Sequence, residues 1–325
     1  MGEPCRRVKT ECRNNQCFQE KRDDDMEEWL ENTLSEGLRR DLAAWRGQYP
    51  WEGTRALPSP VYRYHGREIF EAAVAALLAG EHLLLVGPKA TGKNVLAENL
   101  AAAFGRPMFN VSLHINTDAA YLIGTDTFRA GEVQFRPGPV YESAAVGGFC
   151  AFDEINMARN EALAVLHSLL DHRRLLEVPG SRQLAVHPAA RFLATMNEGY
   201  AGTRELNEAL ASRFLVLRLP PLDETGLAAL LGDALPQLSN EGREVLVALF
   251  LALTEKSRAG EISSRAVDLR GLLAAVRLIA RGVAPWRALT MGLIDKCIEA
   301  EERELAGDVL ALYVTQEMSA QLFFA

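Results

Sequence analysis

The chain has 325 residues, 48% apolar and 24% charged, with a net charge of −8 and a mean hydropathy near zero. That length fits one large domain or two smaller ones, and the balance excludes a chain disordered throughout. The longest uninterrupted apolar run, 245–253, is far short of the ~18 residues that a membrane span needs, and an acidic total argues against general nucleic-acid binding.

Residues 1–25 carry Cys5, Cys12 and Cys17 among densely mixed charges and read as a mobile tail. They contain no apolar signal segment, so the expected location is cytoplasmic. The spacing of these thiols fits no common zinc pattern, and the odd total of five cysteines argues for reduced thiols rather than a disulfide framework. Over residues 26–59 the sequence predicts one amphipathic helix, with Met26, Leu30, Leu34, Leu38, Leu42 and Trp45 on its apolar face, and then a Pro-containing linker.

From residue 60 the pattern alternates: helix 68–78, buried strand 82–86, helix 94–104, strands 108–111 and 149–152, helix 161–171 and strand 191–195. Alternation of this kind predicts an α/β domain over 60–221, a parallel sheet sandwiched by helices. Beyond Pro220 and Pro221 the patterns are helical, at 224–231, 243–254, 267–280, 287–300 and a last helix to about residue 318. They predict a smaller all-helical domain over 222–325.

Gly87-Pro88-Lys89-Ala90-Thr91-Gly92-Lys93 matches G-x-x-x-x-G-K between the predicted strand and helix. In such a P-loop the glycines let the backbone turn its N–H groups toward phosphates. The helix N-terminus adds positive potential, and Lys93 reaches the β and γ phosphates. Gly87 through Val95 are therefore the expected nucleotide-binding residues. Asn94 stands where Ser or Thr would offer a hydroxyl to Mg²⁺; its amide oxygen is still a hard ligand, acting directly or through water.

Asp153 and Glu154 end an apolar strand. There Asp153 would hold Mg²⁺ through its waters, and Glu154 would orient and deprotonate an attacking water. Asn197, at the end of the next strand-like run, is placed to align that water. Arg213, after the short helical stretch that starts at Leu206, is the first candidate for an arginine finger, with Arg204 second. His167, His172 and His187 show no ligand spacing and read as structural.

Together these segments resemble the AAA+ ATPases, and within them the MoxR group that includes the CbbQ and NorQ proteins, over roughly residues 60–285. The resemblance implies a Walker A motif at Gly87 to Asn94, Walker B at Asp153 and Glu154, sensor 1 at Asn197 and the finger at Arg213. Ser263-Ser264-Arg265 looks like sensor 2 of a helical lid, with Arg265 contacting the γ-phosphate and Arg270 as its competitor; Ser264 replaces a frequent proline. Tyr121-Leu122-Ile123-Gly124, a hairpin-like segment 128–135 turning at Gly131-Glu132, and Pro137 to Val140 resemble the helix 2 insertion. Residues 174–186 look like a second hairpin, and in the family such hairpins line the centre of a ring.

What the resemblance implies is an ATP- and Mg²⁺-dependent chaperone. It would form a ring, most simply a hexamer, and remodel a client protein, often with a von Willebrand factor A partner. Two other readings are a hydrolysis-impaired, nucleotide-gated scaffold, suggested by Asn94, and a nucleic-acid-associated AAA+ motor, disfavoured by the acidic charge.

Overall fold

The computed structural model describes residues 25–129, 131–178, 182–198 and 205–324, so Cys5, Cys12, Cys17 and Arg204 lie outside the described residues. The chain divides into two compact units. One takes in residues up to 60, 66–86 and 94–218; the other gathers 61–65, 87–93 and 219–325.

The strands are Leu83–Gly87 (β1), Met108–Ser112 (β2), Gly124–Arg129 (β3), Glu132–Pro137 (β4), Phe149–Asp153 (β5), Leu175–Val178 (β6), Arg182–Ala185 (β7), Arg191–Asn197 (β8) and Leu215–Arg218 (β9). Five form a parallel sheet in the order β2-β5-β8-β1-β9, with Val111 opposite Phe152, Phe152 opposite Ala194 and Leu84 opposite Val216. Every residue of β1 is buried, and β8 is buried except at Met196. Strands covered on both faces are apolar throughout, which is why these runs lack alternation. Phe109, Val111, Phe152 and Phe192 pack in the core beneath the helical segments around Leu166 and Leu169.

β9 escapes the sequence reading. Its residues Leu215 and Val216 are half exposed on the sheet edge, so it shows neither a buried run nor a polar alternation. The predicted helix over 161–171 is present but tightened. Asn160–Leu163 and His167–Leu170 are α-helical, and Ala164–Leu166 between them is a 3₁₀ turn, with ψ −12° at Leu163 and −14° at Leu166. The remaining strands pair as two antiparallel hairpins, β3 with β4 and β6 with β7.

The N-terminal helix is two helices. Residues 25–33 form the first and Glu36–Gln48 the second. Between them Ser35 is extended at ψ 153° and its N–H donates to Glu71 Oε1 at 2.7 Å, so the helical ladder is interrupted by a side chain of the helix Arg67–Leu78. Both halves pack on the sheet unit: Trp29 meets Phe70 edge-on at 4.6 Å and Trp45 meets Phe104 at 4.9 Å. Arg106, 2% exposed, fastens the end of the second helix. It donates to Tyr49 O at 3.1 Å, Pro50 O at 3.3 Å and Gly147 O at 2.7 Å, and to Val146 O.

In the helical unit, Glu224–Ala234, Asn240–Arg258 and Leu269–Ile279 are each opened by a side-chain cap from Asp223, Ser239 and Asp268. The expected helix over 287–300 is instead Pro285–Gly292, a 3₁₀ turn at Ile294–Lys296 and the start of Ala300–Tyr313. The break follows a tight crossing: a Cβ on Gly271 would lie 2.0 Å from Gly292 O. Among the described residues no helix is long and apolar enough to cross a membrane.

Replacing Arg106 with alanine strips the donors from four carbonyls and should lower unfolding free energy by about 3 kcal/mol or more in denaturant titrations; a change under about 1 kcal/mol would remove this anchor from the account. A second prediction concerns acid. His82 is buried edge-on to Phe192, and burial, with Arg174 and Arg191 nearby, holds its pKa down at about 3 from an ordinary 6.5. The folded-state value is depressed, so as pH falls below about 6.5 the unfolded chain gains a proton that the folded chain refuses. Stability should drop by up to about 1.4 kcal/mol per pH unit from this group until the folded pKa is reached. His82→Gln should flatten the slope between pH 6 and 4, and an unchanged slope would refute the assignment.

Candidate functional site

The loop leaving β1 and entering the helix Lys93–Ala103 has the shape of an anion cradle. Ala90 and Gly92 are left-handed, at φ 63° and 81°, the kind of reversal that aims successive N–H groups into a concavity. Gly87 admits no side chain, because a Cβ there would lie 2.5 Å from Leu219 O. Gly92 packs toward the ring of Tyr64, whose phenol is pushed up to about 12 by burial and stays neutral.

Lys93 is 8% exposed. Its Nζ donates to Pro88 O at 2.7 Å, Gly87 O at 2.9 Å and Thr91 Oγ1 at 3.4 Å, while the Thr91 hydroxyl donates to Pro88 O at 3.1 Å. The Lys93 ammonium is thereby held against three neutral oxygens of its own loop. Pro88, Lys89 and Asn94 are exposed; Ala90 and Val95 are half-buried.

A second group of polar side chains sits at the C-terminal ends of β5 and β8, which are neighbours in the sheet. Asp153 is the last residue of β5, Glu154 follows it, and Asn197 is the last residue of β8. Asn197 Nδ2 donates to Glu154 Oε1 at 2.8 Å, and Asn156 Nδ2 donates to Asn197 O at 3.3 Å. The Thr195 hydroxyl donates to Asp153 Oδ1 at 2.7 Å and accepts the Glu154 N–H at 3.0 Å. Glu154 is left-handed, φ 54° and ψ 54°, a conformation that costs a non-glycine residue on the order of 1 kcal/mol and needs its surroundings to hold it.

Asp153, Glu154 and Asn197 are thus brought together as the sequence suggests. β1 lies on the other side of β8, so the C-terminal ends of all three parallel strands share one sheet edge. Arg213 stands apart. Its guanidinium turns back to His167 O at 3.1 Å and to Ala209 O, which leaves its charge on carbonyls alone; burial and that guanidinium hold the His167 pKa below the usual range. Arg265 and Arg270 are exposed in the helical unit, Arg265 in the turn before the helix Leu269–Ile279 and Arg270 in its first turn.

Sequence reasoning passed over Thr195 and Asn156. The signal for Thr195 was present: it lies two residues before Asn197, hence on the same face of β8, and interrupts an apolar strand. Asn156 lies in the short turn after Glu154, where no periodicity marks it.

The residues fit a nucleotide with magnesium. Within the loop, Gly87 leaves no room for a side chain and Lys93 turns its ammonium to loop oxygens; at the sheet edge, taken by itself, Asp153 is half-exposed at its strand end. Mg²⁺ takes one or two carboxylates and completes its shell with water and phosphate, and Asp153 offers one such carboxylate.

Residues 82–214 match the AAA domain of the dynein-related subfamily. The Bacillus subtilis protein YojN, itself uncharacterized, is 31% identical over 282 residues, 83% of this chain and 91% of that one. The uncharacterized protein SH1500 of Staphylococcus haemolyticus is 32% identical over 255 residues, 75% of this chain and 95% of that one. A crystal structure from Cytophaga hutchinsonii covers 86% of this chain and 95% of its own, at 16% identity and a TM-score of 0.46. With a P-loop, a parallel five-stranded sheet, the matched domain and relatives covered almost end to end, the chain belongs to the AAA family of ATPases, in its dynein-related subfamily.

Proposed function

We propose that this protein hydrolyses ATP with Mg²⁺ and is a MoxR-type AAA+ chaperone, a ring that remodels or activates a client protein. The observation that carries the hydrolytic part is the hydrogen bond at 2.8 Å from Asn197 to the Glu154 carboxylate at a sheet edge. A base for water attack must be held in orientation, and this contact holds it. When bound, Mg²⁺ would supply charge neutralisation on the phosphate oxygens. Asp153, with Asn94 as a second oxygen donor, would hold it.

Gly87 through Val95 bind the phosphates in this reading, and Lys93 leaves its carbonyls to meet the β and γ oxygens. Glu154 takes the proton of the attacking water, and Asn197 aligns that water. Arg213 and Arg265 stabilise charge on the γ-phosphate, Arg265 in its own subunit and Arg213 in the adjacent one. The finger role is supported by the Arg213 environment, which among the described residues is two neutral carbonyls, from which the guanidinium separates at small electrostatic cost. A homo-oligomeric ring, most simply a hexamer, follows from that role.

The client reading is supported by the first hairpin, where Phe128 and Val133 face each other across the strands at 76% and 70% exposure. An apolar pair presented at a hairpin tip suits contact with protein. A von Willebrand factor A partner is the proposed route to client choice.

ATP affinity should fall at least about 100-fold in Lys93→Ala, while Glu154→Gln should bind ATP and turn over about 100-fold more slowly or worse. Equal affinity of wild type and Lys93→Ala, measured by calorimetry, would sink the nucleotide reading. Tight binding by wild type without turnover would favour the scaffold that Asn94 suggests. For the ring, Arg213→Ala should keep ATP affinity and lose turnover about 1,000-fold, and the particle mass of wild type should rise with ATP. A monomer at every protein and nucleotide concentration would refute the ring.

A further inference from the structure

We infer that Thr195 is a positioning residue that locks Asp153 and Glu154 into one arrangement and so sets the affinity of the site for the nucleotide-bound divalent cation. The inference rests on the ATPase reading above. Thr195 is 2% exposed, and its single hydroxyl serves both carboxylate-bearing residues: its proton goes to Asp153 Oδ1 at 2.7 Å, and its oxygen accepts the Glu154 N–H at 3.0 Å.

A hydroxyl has one proton to give, so the direction of this pair of bonds is fixed by chemistry. A carboxylate accepts and an amide N–H donates; the hydroxyl is the group that can stand between them. Donation to Oδ1 holds the Asp153 carboxylate in one rotamer, with Oδ2 as the oxygen left for a cation's water. Acceptance from Glu154 matters for a different reason. At φ 54° the Glu154 backbone has left the strand, and the Thr195 oxygen takes the N–H that the ladder no longer pairs.

The same strand then reaches the Glu154 side chain. Thr195 and Asn197 project from one face of β8, the first fixing the Glu154 backbone and the second its carboxylate. Two points of attachment define where the carboxylate goes; either alone leaves a rotation. Partners that orient a ligand-bearing carboxylate in this way are worth about 10–100-fold in metal affinity or activity when removed.

The test compares full-length wild type, Thr195→Val, which keeps the shape and removes the hydroxyl, and Thr195→Ser, which keeps the hydroxyl. Each is titrated with Mn²⁺ in the presence of ATP and followed by electron paramagnetic resonance. ATP affinity in EDTA, Mg²⁺-dependent turnover and thermal melting are recorded on the same samples. Thr195→Val should stay folded and bind metal-free ATP as wild type does. Its Mn²⁺ affinity and its kcat should fall about 10–100-fold, with Thr195→Ser recovering most of both.

Equal Mn²⁺ affinity in Thr195→Val and wild type overturns the inference, as does a Thr195→Ser defect as deep as that of Thr195→Val. Wild type that binds ATP without turning over leaves the Mn²⁺ comparison to decide. Failure of wild type itself to bind ATP would instead bring down the ATPase reading, and this inference with it.

Discussion

A parallel sheet buried on both faces leaves polar chemistry only its strand ends. Here β5 is apolar up to Asp153 and β8 is apolar from Phe192 to Ala194, so the carboxylates and their hydrogen-bonding partners gather at the C-terminal edge, as Asp153, Glu154, Thr195 and Asn197. Those groups bond to one another through hydroxyl, amide and backbone N–H. The left-handed turn at Glu154 follows from the same constraint: the chain must leave the sheet at once to keep the carboxylate at its rim.

The opposite rim of the sheet has the reverse character. Arg191 opens β8, His82 precedes β1 and Arg106 precedes β2, with Arg174 alongside. The three guanidiniums are held by backbone carbonyls: Arg191 by Leu77 O and Pro188 O, Arg174 by His187 O and Ala190 O, and Arg106 by Gly147 O and Tyr49 O. Burial, together with Arg174, brings the Arg191 pKa down to about 10, and burial with Arg106 and Arg174 keeps His187 low. This basic rim fastens the N-terminal helices, since Arg191 also lies over the Trp45 ring at 5.7 Å. One end of the sheet thus anchors structure by carbonyl-bound cations, while the other gathers carboxylates.

Much of this was legible in the sequence, for identifiable reasons. The P-loop announces itself because Gly87 and Gly92 answer local demands, a carbonyl 2.5 Å from any Cβ and a positive φ. Buried strands were readable as apolar runs, the first hairpin as alternation about Gly131-Glu132, and the second only through the family resemblance. β9 was not, because an edge strand half open to solvent carries neither signature. The breaks at Ser35 and Gly292 were hidden for another reason: each is imposed by a contact distant in sequence, Glu71 in one case and Gly271 in the other. At the site, the residue types that carry charge were found, and Thr195, which carries none, was passed over.

Among the described residues, Arg182 links the two hairpins. Arg182 of β7 pairs with Asp126 of β3 at 2.9 Å and lies 4.9 Å from the centre of the Phe135 ring of β4. These two attachments respond differently to ionic strength. The ion pair is half open to solvent and weakens as salt shortens the screening length toward about 3 Å at 1 M. The contact with the ring face combines apolar packing of the guanidinium plane with a short-range attraction that salt reduces less. Concentrated salt therefore loosens the Arg182–Asp126 pair more than the contact of Arg182 with the Phe135 ring, and the link between the hairpins shifts its weight from charge to ring face.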